Sequence, residues 1–230
     1  IMFISYGFAK VIGQKRMGSA IAILVALVLA YIAGRYTGGE KGLADVTLFS
    51  GIGLLGGSML RDYAIISTAY GADLDNIKKA GLPGIVALLV GVFFSFIVGI
   101  IVAVLLGYTD PVDITTIGGG TVTFVVGPVT GSALGASSEV VALSIAAGVV
   151  KSVLTMIITP FIAPIIKLDN PTSAMVYGGL IGTTSGVAGG LAATDERLVP
   201  YGAMTATFYT GLGTLLVPSL GYILVNAMFG

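Results

Sequence analysis

The stretch Gly118–Glu139 reads GGGTVTFVVGPVTGSALGASSE and decides how the chain is read. It packs six glycines, six Ser or Thr residues and a proline into an otherwise very apolar protein. A second stretch, Gly178–Glu196, reads GGLIGTTSGVAGGLAATDE and echoes it. Gly127, Gly131 and Gly135 recur 55 residues later as Gly182, Gly186 and Gly190, and Thr130 recurs as Ser185. After each copy comes an acidic residue, then a long apolar segment with a late proline, Pro160 or Pro218. Glycines four residues apart let helices approach closely, and that packing role is the plainer explanation of one isolated copy. Two copies in register, both rich in hydroxyls, point instead to helices that break, freeing N–H and C=O groups. Irregular backbone at membrane depth is tolerated only where it is buried in protein or lines a cavity.

The membrane assignment comes from composition. Apolar residues make up 56% of the chain and charged residues 10%, with mean hydropathy +1.03. A water-soluble domain needs a far more charged surface. The net charge is zero, which offers nothing to a nucleic acid. The absence of Cys removes disulfides and thiolate catalysis, and the absence of His removes the commonest proton relay and transition-metal ligand. No HExxH or GxSxG string occurs, so an enzyme is not expected.

The expected spans follow from apolar runs of about 20 residues. The chain opens on Ile1 rather than Met, so leading residues are expected to precede it. Ser19–Gly34 is a first span, behind the cytoplasmic cluster Lys10, Lys15 and Arg16. Val46–Gly71 is long enough to cross but carries Arg61 and Asp62, which lie either in a paired or wet intramembrane position or at an interface. Ile85–Leu106, Val140–Ile166 and Leu198–Ala227 complete the set.

Charge then orients the glycine-rich stretches. The loop Tyr108–Asp113 is purely acidic and fits the outside, whereas Lys167 and Arg197 belong inside. One span separates the copies, so the first enters and leaves from outside and the second from the cytoplasm. The expected fold is therefore an all-α polytopic membrane protein with an inverted repeat and two glycine-rich, broken, re-entrant hairpins, of secondary-transporter type. Residues 1–107 form N-terminal scaffold or partner-contacting spans. Residues 108–230 form a transport core, with hairpin-plus-span repeats at 117–166 and 174–227.

Site candidates come from the same logic. A half-helix N-terminus binds an anion through free N–H groups and the dipole. Thr130, Gly131 and Ser132 are expected at one such end and Thr183, Thr184, Ser185 and Gly186 at the other. Lys151, mid-span, either holds a substrate anion or pairs with Glu139, Asp195 or Glu196. Ser137, Ser138, Glu139, Thr194 and Asp195 are candidates for Na⁺, a hard cation that wants oxygen ligands.

The strings GPVTGSALGASSEVVALSIAAG and GTTSGVAGGLAATDERLVPYGAM resemble the large membrane subunit (M subunit, MadM type) of bacterial malonate:sodium symporters. The likeness runs from about Val46 to Leu224 and is specific at those two strings. The layout is also similar to the larger component of the holin-like murein-hydrolase-export family. The first resemblance implies a secondary active transporter subunit that imports malonate, a short dicarboxylate, with Na⁺ across the bacterial inner membrane. It implies a smaller hydrophobic L subunit as partner and assembly into an oligomer, with no cofactor beyond the coupling ion. The second implies a pore or export component without ion coupling.

The charge pattern yields a topology test. Cysteines at Asp110 and Asp113 should react with an impermeant reagent from the periplasm, and cysteines at Asp75 and Asp169 only from the cytoplasm. Labelling of Asp110 and Asp169 positions from the same face would mean that the stretch between them contributes a further crossing.

Overall fold

The computed structural model describes residues 2–11, 18–38, 46–49, 75, 78 and 81–230. The chain divides into two compact units, Ile1–Gly71 and Ala72–Gly230. In the first, α1 (Met2–Val11) packs on α2 (Gly18–Thr37), and α2 contains the expected span Ser19–Gly34. A short 3-10 turn follows at Thr47–Phe49. Arg61 and Asp62 lie outside the described residues, as does most of the expected span around them.

The second unit is built of α3 (Gly81–Leu105), α4 (Pro111–Val122), α5 (Val126–Leu134), α6 (Ser138–Ile162), α7 (Pro171–Ile181), α8 (Thr184–Thr194) and α9 (Val199–Leu216). A π-helical segment over Val217–Gly221, which contains Pro218, joins α9 to α10 (Tyr222–Phe229). There is no strand among the described residues. Among the described residues, three helical segments are long and apolar enough to cross a membrane: Gly81–Leu105, Ser138–Ile162 and Glu196–Phe229. Their outward side chains are large and apolar, Phe94, Phe161, Phe208 and Ile223 among them. Such a surface is tolerated where the solvent is hydrocarbon. The protein is an all-α membrane protein.

Each glycine-rich stretch contributes two short helices rather than one long one. Both entering helices start with the same grammar. Asp110 accepts from the N–H groups of Val112 (2.8 Å) and Asp113 (3.2 Å) ahead of Pro111. Asn170 accepts from the Ser173 N–H (3.0 Å) ahead of Pro171 and completes a capping box. An acceptor side chain at N-cap with proline in the first turn is a strong start signal.

Packing against α6 shows where each pair of helices leads. Gly120 of α4 lies on the Ser144 backbone, and Gly148 of α6 lies on the Phe124 backbone between α4 and α5. Gly127 of α5 then meets Ser144, and Gly131 meets Val141 and Thr116. Both arms of the first pair therefore run from the break toward the N-terminal end of α6. In the second pair, Gly186 of α8 lies on Ser152 and Thr155, Gly189 on Met156 and Gly190 on Thr159. The start of α7 clusters with Ala163 and Leu168, just past the C-terminal end of α6. Both arms of this pair therefore run toward that opposite end. The two breaks meet α6 at Gly148 and Ser152, about one turn or 6 Å apart along its axis.

Two further helices clamp both pairs. Gly91 of α3 packs on Gly179 and Leu180, and Gly99 packs on Gly118 and Thr121. Gly202 of α9 packs on Val187 and Leu191, and Gly213 on Val122 and Val126. Two buried clusters result among the described residues, one centred on each pair. The compact unit thus takes in α3.

The 55-residue register needs a correction. Gly182 ends α7 with φ +77°, a left-handed conformation that glycine adopts without strain. Gly127, its partner in that register, is an ordinary helical residue of α5. An offset of 60 matches the structural roles instead: Asp110–Pro111 with Asn170–Pro171, and Gly118–Gly119 with Gly178–Gly179. The GxxxG ladder is periodic in both arms because both pack tightly, not because both break there.

The close approaches are testable. A methyl at Gly120 or Gly178 would fall on the backbone of Ser144 or Gly202, whereas one at Gly211 meets nothing. Gly120→Ala and Gly178→Ala should each cost about 1–3 kcal/mol. Gly211→Ala should be neutral or gain up to about 1 kcal/mol from helix propensity. Thermal unfolding of the purified protein in detergent checks the contrast, and equal midpoints for all three would refute it.

Candidate functional site

The two breaks meet at the middle of α6 but are finished in opposite ways. At the first, Thr123 is extended (φ −154°, ψ 158°) and closes off the start of α5. Its hydroxyl accepts from the N–H groups of Val125 (3.3 Å) and Val126 (3.2 Å). Its carbonyl accepts from Val126 (3.0 Å) and Gly127 (3.3 Å). The donors that open α5 are therefore satisfied locally.

The free groups at this break are carbonyls at the end of α4. The Lys151 ammonium donates to Thr121 O (2.9 Å) and Val122 O (3.0 Å). It also donates to Ser95 Oγ (3.0 Å), with the Tyr209 hydroxyl at 3.4 Å. The Tyr209 ring centroid lies 5.3 Å away. A cation at a helix C-terminus meets the negative end of the dipole. The cage is itself tied down: Thr121 Oγ1 donates to Ser95 O (2.8 Å), and Tyr209 OH donates to Gly91 O (3.0 Å).

The second break has the opposite polarity. Gly182 donates to Gly178 O (2.9 Å) and seals α7, resting on the Tyr209 ring where a Cβ has no room. Thr183 is the N-cap of α8, but its hydroxyl does not cap the helix. It pairs instead with the Ser152 hydroxyl of α6. Val187 N–H is bonded back to Thr183 O (2.8 Å), which leaves the first-turn N–H groups of Thr184, Ser185 and Gly186 without helical acceptors. Thr184 and Ser185 are half-buried, and their hydroxyls make no hydrogen bond among the described residues.

A cleft of about 550 Å³ opens between α3, α6 and α7, within the size range of small-molecule sites. Its walls are apolar, including Phe94, Val98, Leu154 and Ile158, and its polar points are Ser95, Thr121, Lys151, Thr155 and Tyr177. Tyr177 OH and Thr159 Oγ1 share a hydrogen bond of 2.6 Å behind it. The first turn of α8 does not line this cleft.

Of the substrate candidates, Thr183, Thr184, Ser185 and Gly186 form the second break, joined to α6 beside Lys151. Thr130, Gly131 and Ser132 are elsewhere. They lie one to two turns along α5 from the break, with Gly131 packed on Val141 and Ser132 exposed. Thr130 is buried, and its hydroxyl has no partner among the described residues. The chain breaks at Thr123–Val125, before the glycine ladder. Pro128 in the first turn of α5 was the available signal, since proline favours a helix start. Ser95 and Tyr209 were missed, although a polar residue in an apolar span is itself a marker.

The sodium candidates split into two groups. Ser137 caps α6 by accepting from Val140 N–H (3.3 Å), with Ser138 and Glu139 exposed beside it. Thr194 ends α8, donating to Gly190 O (2.7 Å). Asp195 is held by Arg197 through Nε (3.0 Å) and Nη2 (2.7 Å). The groups flank opposite ends of α6, about 36 Å apart, so they do not build one site. Lys151 pairs with none of Glu139, Asp195 or Glu196 in the ion pairs among the described residues.

The link between Ser152 and Thr183 joins the second break to α6. Ser152→Ala, Thr183→Val and the double variant should show a coupling energy of about 0.5–3 kcal/mol in a double-mutant cycle of stability. Additive effects would mean that the hydroxyls do not act as a pair.

No curated protein and no solved structure matches the chain. The family model for the malonate/sodium symporter MadM subunit matches residues 1–229. That match takes in both broken helix pairs, α6 between them and both clamping helices. The chain belongs to the MadM family, the subunit family of a sodium-coupled malonate symporter.

Proposed function

We propose that the chain is the large subunit of a multi-pass inner-membrane carrier that imports malonate with Na⁺ by alternating access. The observation that carries this reading is the opposite polarity of the two breaks at mid-α6. One presents carbonyls that hold a cation, and the other presents uncapped N–H groups and free hydroxyls suited to an anion. The broken pairs act as re-entrant hairpins entering from opposite faces, so that hairpin-plus-span repeats are inverted about the midplane. A small hydrophobic L subunit completes the carrier, which works as an oligomer.

A malonate carboxylate binds at Thr184, Ser185 and Gly186, where several N–H donors converge, with Thr183 shaping the turn. The Lys151 charge, one residue from Ser152, offsets the second carboxylate through space. The tight seating of α3 on both pairs supports moving it with the transporting block rather than with the fixed part. A passive pore is the weaker reading, because the cleft beside the breaks has mainly apolar walls and supplies no continuous polar path.

The test is radiolabelled malonate uptake into proteoliposomes, with and without a sodium gradient and the partner subunit. Uptake should saturate and require sodium. A charge-assisted hydrogen bond is worth about 1.5–3 kcal/mol. Ser185→Ala should therefore weaken apparent affinity by roughly ten- to a hundredfold at most. Gly186→Val should abolish uptake, since its side chain would fall on Ser152 and Thr155. Near-normal uptake by both variants would place the anion elsewhere, and sodium-independent, unsaturable flux would favour the pore.

A further inference from the structure

We propose that Ser95 Oγ, the Thr121 and Val122 carbonyls and the Tyr209 hydroxyl form a monovalent-cation site whose resident occupant is the Lys151 ammonium. The coupling sodium then binds elsewhere. The site stands on the cage geometry and shares no residue with the anion-binding turn of α8.

An ammonium has three N–H donors and no acceptor. Here it finds three oxygens at 2.9–3.0 Å and a fourth at 3.4 Å. The Tyr209 ring lies behind its hydroxyl, with the centroid 5.3 Å from the nitrogen. Among the described residues no carboxylate takes part. A set of neutral carbonyl and hydroxyl oxygens at a helix C-terminus is how proteins hold monovalent ions without neutralising them. The amine is thus a tethered ion that cannot be released or exchanged.

Two consequences follow. The three hydrogens of Lys151 are already used, so the residue supplies charge to a nearby anion but no direct hydrogen bond. The cation also locks three elements together: the end of α4 through the carbonyls, α3 through Ser95 and α9 through Tyr209. Oxygens spaced around an ammonium are too far apart for Na⁺, which sits closer to its ligands. Ammonium-type cations therefore fit this cage better than sodium.

The experiment is chemical rescue, read as the unfolding midpoint of the full chain in detergent. Lys151→Ala should lower the midpoint. Propylammonium should restore it in a saturable way, sodium less well, and choline, which is too bulky, not at all. Propylammonium should leave the wild type unchanged, and Lys151→Met as well, because the Met side chain blocks the vacated channel. Loss of rescue, or equal responses from wild type and Lys151→Ala, would overturn the proposal. If Lys151→Ala cannot be purified, Ser95→Ala decides. It should lower the midpoint when Lys151 is present and do so far less in the Lys151→Met background. Equal losses in both backgrounds would show that Ser95 does not hold the ammonium. Because no malonate enters these measurements, they are independent of where the substrate anion binds.

Discussion

A helix that breaks away from water must satisfy its freed backbone groups from within the protein. Two breaks stacked one turn apart along α6 make that constraint the organising one here. At the first, Thr123 serves the donors of α5, and the Lys151 ammonium serves the carbonyls of α4. At the second, glycine geometry seals α7, while the N-terminal donors of α8 remain open. The asymmetry matters more than the resemblance between the pairs. One break is closed on the Lys151 amine, and the other is left with groups that a ligand can satisfy.

Glycine makes the arrangement possible by removing side chains where backbones must touch. The Gly120–Ser144, Gly148–Phe124 and Gly178–Gly202 approaches each leave no space for a Cβ. They bring the short arms against α6 and α9 closely enough for hydroxyls such as Ser152 and Thr183 to reach across. The larger apolar side chains form two separate buried clusters, which reach from the ends of the pairs up to Val122, Val126 and Val187 beside the breaks. Where the breaks meet α6, hydroxyls and backbone groups face one another, while the cleft beside them keeps mainly apolar walls.

The position of Lys151 connects packing to function. A lysine in an apolar span is costly unless it is fully engaged. Four oxygens engage it, and among the described residues no side-chain anion pairs with it. The unit thus places the Lys151 amine next to Ser152, the residue that pins the open helix N-terminus. Both features favour an anion in the same region, one through long-range charge and the other through directed N–H groups.

Composition alone determined that this is a membrane protein, because a chain with so few charges suits hydrocarbon rather than water, and the length of its apolar runs made the spans helical. The apolar runs located α2, α3, α6 and α9, since a span needs a length that is visible as an uninterrupted stretch. The hydroxyl run Thr183–Ser185 announced an open helix start, and Lys151 stood out as a charge in an apolar segment. Only the tertiary structure decided where the first break falls. A GxxxG ladder reads the same whether its glycines bend the chain or merely let it pack, and here Gly127 and Gly131 pack while Thr123 bends. Nor could spacing reveal Ser95 and Tyr209 as partners of Lys151. They sit 56 and 58 residues away in the chain, and only the folding of α3 and α9 across both helix pairs brings their oxygens to one nitrogen.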